Sequence, residues 1–170
     1  MKTLKLFLLT LICISLFSFS RGRDEKYQCL PCGRDCDKAV FDKPGECTHC
    51  HMKLVKSATI TFKSVKPTSI CDYIKSNPKA ILLDVRTKDE FDGKTDPNFG
   101  TLKNAINIPI QQLDERFSEL DKYKSQTIVV YCSHSHRSPQ AAYLLSQKGF
   151  KNIINMSGGM SEVTNKDCKK

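Results

Sequence analysis

Cys132 heads the run Cys132-Ser133-His134-Ser135-His136-Arg137-Ser138, which follows the apolar stretch Thr127-Ile128-Val129-Val130-Tyr131 and precedes a helix-like segment. A thiol placed in this way lies at the end of a buried strand, facing the start of a helix. Unpaired backbone N–H groups and the positive end of the helix dipole meet there, so negative charge on the sulfur, or on an anion attached to it, is favoured. The four residues between Cys132 and Arg137 give the backbone room to curl round the sulfur with several N–H groups aimed at one point. Arg137 adds a fixed positive charge, and His134 and His136 add more when protonated. The chemistry this pattern suits is nucleophilic: a reactive sulfur that attacks, and a bowl that holds what it has taken. Ser133, His134, Ser135, His136 and Ser138 are the candidate binding residues. The two histidines are read as tuning the loop rather than as metal ligands.

A second group of thiols stands apart from the first. Cys29 and Cys32 form one Cys-x-x-Cys pair and Cys47 and Cys50 another, separated from it by fourteen residues. Two such knuckles can bring four thiolates round a zinc ion at about 2.3 Å, and Cys36, His49 and His51 are further candidate ligands. Five cysteines in this stretch would leave one unpaired if all were disulfides, which favours a metal, although an oxidising compartment opposes thiolate sites.

The elements that must position these groups fall into two regions. Residues 21–56 are cysteine-rich, poor in large apolar residues and broken by Pro31, Gly33, Pro44 and Gly45, so they need a metal or cross-links to fold. Residues 57–66 join the regions and include an expected short strand, Thr59-Ile60-Thr61-Phe62. From 67 to 164 helix and strand alternate. Ile70, Tyr73 and Ile74 mark a helix, Ala80–Val85 and Ala105–Ile108 strands, and Leu113, Phe117 and Leu120 another helix. Thr127–Tyr131 is a central strand, followed by a helix with Ser138 as its expected N-cap, Pro139 at its first position and Gly149 past its end. Lys151–Met156 is the last strand. This order implies an α/β fold: a mainly parallel sheet with helices on both faces. Residues 165–170 form a polar tail, expected to be disordered, and Cys71 is expected to be simply packed. Cys168 is either a free resolving thiol or without a role.

Met1–Ser20 reads as an export signal, with Lys2 and Lys5 ahead of an apolar run, Leu6 to Phe19, too short to span a bilayer. An exported protein, periplasmic or secreted, with no stable membrane insertion after cleavage is the expectation. The formal charge of +9 falls to +7 once the two signal lysines are set aside. Such a surface attracts small anions. Scattered lysines and the lack of tryptophan give nucleic-acid binding little support.

Asp84-Val85-Arg86, Asp89-Glu90-Phe91, Asn104-Ala105-Ile106-Asn107-Ile108-Pro109, Val130-Tyr131-Cys132 with Arg137-Ser138, and Ser157-Gly158-Gly159-Met160, in this order, resemble a single-domain rhodanese. The resemblance implies a sulfurtransferase that takes sulfane sulfur from a donor such as thiosulfate, holds it as a persulfide, and passes it to cyanide or a thiol acceptor, with no cofactor required. On that basis Cys132 is the nucleophile and carrier, the amides from Ser133 to Ser138 cradle the terminal sulfur, and Arg137 supports the loop and binds the anion. Asp84, Arg86 and Glu90 resemble the family's structural polar cluster. Related phosphatases of this fold have five residues between cysteine and arginine, so the shorter loop favours sulfur over phosphate. Three departures stand out: Ser135 replaces a mid-loop glycine, Thr101 a histidine, and Met160 and Val163 aromatic residues.

Tyr27-Gln28-Cys29, Lys43-Pro44-Gly45 and the run from Cys47 to Val55 are similar to a small heavy-metal-binding domain found on metal-export systems. That similarity implies zinc or another soft metal and a metal-export partner. The sequence thus supports a sulfurtransferase or persulfide carrier, and as its alternative a non-enzymatic metal-handling or thiol-redox module.

Overall fold

The computed structural model describes residues 25–170; the expected export signal lies outside the described residues. Five short strands, β4 (Lys63–Val65), β5 (Ile81–Asp84), β6 (Ile106–Asn107), β7 (Ile128–Tyr131) and β8 (Ile153–Met156), form one sheet in the order β4-β8-β7-β5-β6. Every pairing in it is parallel. β7 lies at the centre with all four residues buried, which is why it is uniformly apolar rather than alternating.

Successive side chains of each strand feed opposite faces. Leu83, Val85, Ile128 and Val130 pack against Leu113, Leu120, Ala141, Ala142 and Leu145, from the segment around α3 (Ile110–Arg116) and from α4 (Arg137–Gln147). Leu82, Val129 and Tyr131 pack on the other side against Ile70, Met156 and Met160, where α1 (Ile70–Ser76) lies. The α/β architecture with both faces covered is therefore as the sequence implies, and α2 (Lys88–Phe91) completes the helices.

Four local readings are corrected. The expected strand at 59–62 is a 3-10 turn over Ser57–Thr59, because the Thr59 hydroxyl donates to Lys56 O at 2.6 Å and closes the chain locally; the strand starts at Lys63. Ser138 is not the N-cap of α4 but lies within it, fully buried, with His136 at the cap. Its hydroxyl is occupied by the Cys132 sulfur instead. The tail is ordered: Lys170 N donates to Thr101 O and Thr101 N to Lys170 O, at 2.8 and 3.1 Å. Cys71 is packed in the core, as expected, but not as a lone thiol: it forms a disulfide with Cys168 across a separation of 97 residues, fastening that tail to α1.

The cysteine-rich lobe has a small antiparallel sheet of β1 (Tyr27–Gln28), β2 (Val40–Phe41) and β3 (Val55–Lys56), in the order β2-β1-β3. Its interior is Cys29, Cys32, Cys47, Met52 and Leu54, too little apolar surface to stand alone. The lobe docks instead: Leu30 enters the core of the larger unit, and Asn155 Nδ2 donates to Pro31 O at 2.8 Å. Among the described residues, no helix is long and apolar enough to cross a membrane.

Candidate functional site

The chain turns sharply after β7, and Cys132 sits where the strand ends, 1 % exposed. Ser138 N donates to its Sγ at 3.4 Å, and the thiol lies 3.5 Å from Ser138 Oγ. The loop's return depends on Ser135, which holds φ 56. That left-handed backbone favours glycine, which accounts for the glycine usual at this position in the resembled family. Ser135 is 2 % exposed, and its hydroxyl has no hydrogen-bond partner among the described residues. His134 and His136 are exposed; the His134 ring meets Phe99 edge-on at 5.3 Å between centroids, and His136 Nε2 lies 3.3 Å from Cys50 O of the small lobe.

The loop is clamped from behind. Met160 N donates to Cys132 O at 2.9 Å and Ser161 N to Ser133 O at 3.0 Å. Gly159, at φ 78, passes so close that a Cβ there would lie 2.2 Å from Ser133 O, which makes the second glycine of Ser157-Gly158-Gly159-Met160 a packing requirement.

Arg137 does not point its charge freely into the bowl. Its Nη1 and Nη2 each donate to a Glu90 carboxylate oxygen at 2.6 Å, and Nη2 also donates to Ser133 Oγ at 2.9 Å. Ser133 Oγ in turn donates to Glu90 at 2.8 Å. The Arg137 guanidinium, opposed by partial burial, holds the Glu90 carboxyl well below the usual carboxylate range, with help from Ser133 and Thr87. Glu90 is fixed by a capping box: Thr87 N and Oγ1 donate to its carboxylate, and its own N–H donates to Thr87 Oγ1. Arg137 thus ties the loop to Glu90 and Ser133 through one N–H of Nη1 and two of Nη2.

Beneath this lies the Asp84–Arg86 pair, with both side chains fully buried. Arg86 Nε and Nη2 reach the Asp84 carboxylate at 2.7–3.0 Å, and Nη2 also donates to Gly100 O and Thr101 Oγ1. Thr101, the departure from histidine, is thereby absorbed into a buried structural network.

In the small lobe, Cys29, Cys36, Cys47 and Cys50 bring their sulfurs within 4.8 Å of one another. Cys36 replaces Cys32 in the expected quartet. Asp37 accepts from Cys32 N and Gly33 N at 3.0 and 2.7 Å, and the Cys32 thiol turns to the same carboxylate at 3.3 Å. His49 and His51 are exposed and outside the group. Four thiolates at about 2.3 Å from one ion stand roughly 3.8 Å apart, and a spread within 4.8 Å fits that with little movement. Burial raises the Cys29 thiol, aided by Cys50, whereas at Cys47 the backbone amides of Cys50 and His49 outweigh burial and bring the thiol to about 7. The donor set is soft and suits zinc or a similar ion.

Comparison with known proteins bears on the larger unit. Residues 71–166, over half the chain, match the Rhodanese-like domain. YqhL of Bacillus subtilis is 38 % identical over 84 residues, 49 % of this chain and 60 % of its own length. Thiosulfate sulfurtransferase PspE of Escherichia coli is 30 % identical over 48 % of this chain and 71 % of its own. A crystal structure of SSP1007 from Staphylococcus saprophyticus, 24 % identical, aligns with 64 % of this chain and 99 % of its own at a TM-score of 0.52, a likeness of fold. The named sulfurtransferases among these relatives carry the activity at family level only. With its parallel sheet, its strand-end cysteine loop and its glycine clamp, the chain belongs to the rhodanese-like family.

Proposed function

We propose that the protein is an exported sulfurtransferase or persulfide carrier acting through Cys132. The observation that carries the reading is the position of the Cys132 sulfur just past the C-terminal end of β7, hydrogen-bonded by the Ser138 amide at the start of α4, in a loop held by Arg137, Glu90 and the Gly158-Gly159 segment. In the forward step the Cys132 thiolate attacks the outer sulfur of thiosulfate; the S–S bond breaks, its electron pair leaves with sulfite, and Cys132 becomes a persulfide. An acceptor thiolate or cyanide then attacks the terminal sulfur and restores the Cys132 thiolate. The loop amides and the start of α4 stabilise the negative terminal sulfur.

The Cys71–Cys168 disulfide suits an oxidising compartment and so supports export. In such a place a bound soft metal would keep Cys29, Cys36, Cys47 and Cys50 reduced and supply the folding energy their lobe lacks. That four-thiol group also favours a second reading, a metal-handling module in which Cys132 does not turn over. A thiosulfate assay with cyanide or a thiol acceptor separates the two. Turnover lost in Cys132→Ser supports the enzyme. No turnover with any sulfane donor, alongside stoichiometric copper in the purified protein, supports the module.

A further inference from the structure

The cysteine-rich lobe and the Cys132 loop enclose a cavity of about 290 Å³. Arg34, His49 and Cys50 line it from the lobe, and His134, Ser135 and His136 from the loop that carries the buried Cys132; among the described residues no carboxylate lines it. The Arg34 guanidinium is exposed and makes no ion pair among the described residues. Ser135 lines the same space, and its hydroxyl, buried, has no partner among the described residues. An unpaired buried donor calls for a ligand or solvent to satisfy it. A neighbouring cavity of about 360 Å³ also reaches Arg34 and His134, but it carries the Glu162 carboxylate, which opposes an anion. Arg137 is held against Glu90 and Ser133 and does not line this cavity. The positive charge facing this entrance therefore comes from the other lobe.

We infer that this cavity between the lobes is the binding site for an anionic sulfur donor, and that Arg34 determines specificity for it. The inference rests on the sulfur-transfer reading of Cys132 and adds a task for the small lobe: Arg34 neutralises the oxyanion end of thiosulfate, and the Ser135 hydroxyl donates to one of its oxygens. Donor recognition then depends on both lobes, since neither wall alone encloses the anion.

Thiosulfate binding to Cys132→Ser, which cannot accept the sulfur, tests this by titration calorimetry, with and without Arg34→Gln and at matched metal content. The exposed position of Arg34 makes the substitution compatible with folding. Arg34→Gln should weaken binding about tenfold, the loss of one charge contact near a surface. On the Cys132 background it should raise KM for thiosulfate by a similar factor with kcat unchanged, and Arg34→Lys should recover part of the loss. Unchanged binding and KM in Arg34→Gln would overturn the inference while leaving sulfur transfer intact. Arg34-dependent binding in a protein whose Cys132 gains no sulfur would instead retain the anion site and remove the transfer reading.

Discussion

The Glu90–Arg137 pair sets the posture of the reactive loop, and its worth can be measured. The two carboxylate–guanidinium contacts are short and largely shielded, with side-chain exposures of 11 % and 25 %. Replacing Glu90 with Gln leaves the shape but removes the charge, and should cost about 2 kcal/mol of stability in urea unfolding at neutral pH. Because Arg137 depresses the folded-state ionisation of Glu90, the pair's contribution is complete above the ordinary carboxylate range, near pH ~4.3. It is lost as the pH falls from there toward the depressed folded value. Glu90→Gln should therefore flatten the acid limb of the stability curve, and an acid limb as steep as that of the native protein would show that the pair contributes nothing. Cys132, Arg137 and the loop serines were legible in the sequence because strand, loop and helix are contiguous there. Arg137's engagement by Glu90 was not, since it needs a residue 47 positions away brought in by the neighbouring strand.

Among the elements, the parallel strands and the helices they carry were readable from apolar runs and spacing. The elements held by distant partners were not. The tail looked disordered because nothing in 165–170 is apolar enough to pack. It is ordered by Cys168 meeting Cys71 and by backbone pairing with Thr101. Cross-linking across 97 residues should stabilise by about 2–4 kcal/mol, so Cys168→Ser, or reduction, should lower the unfolding free energy by that amount. Equal stability of oxidised and reduced protein would remove the bond from the account. Cys-x-x-Cys spacing picked Cys32 as a metal ligand, but a nearby carboxylate, Asp37, holds its amide and thiol, and Cys36 joins the quartet instead. If the quartet is a zinc site, Cys36→Ser should lose the ion and Cys32→Ser retain it, as read by metal content of the purified chain. Equal loss in both variants would favour the spacing over the geometry. Withdrawal of the ion by a chelator should loosen the small lobe while the disulfide-fastened larger unit persists, visible as amide exchange confined to residues 27–56.

At the scale of the whole molecule, two units meet at the reactive loop: His136 lies against Cys50, and Leu30 is sunk in the larger core. The sequence shows both units but not their contact, because docking depends on single residues such as Leu30 and Asn155 that carry no periodic signal. The meeting point gives the small lobe a place beside the sulfur chemistry rather than at the end of a tether. The central claim is that Cys132 accepts and keeps a sulfane sulfur. Intact-protein mass after exposure to thiosulfate tests it most directly, since no acceptor need be known. The mass should rise by one sulfur atom, mapped to Cys132, and return on addition of cyanide; Cys132→Ser should show no gain. A native chain that stays at its starting mass, or that carries the added sulfur only on the small-lobe cysteines, would contradict it.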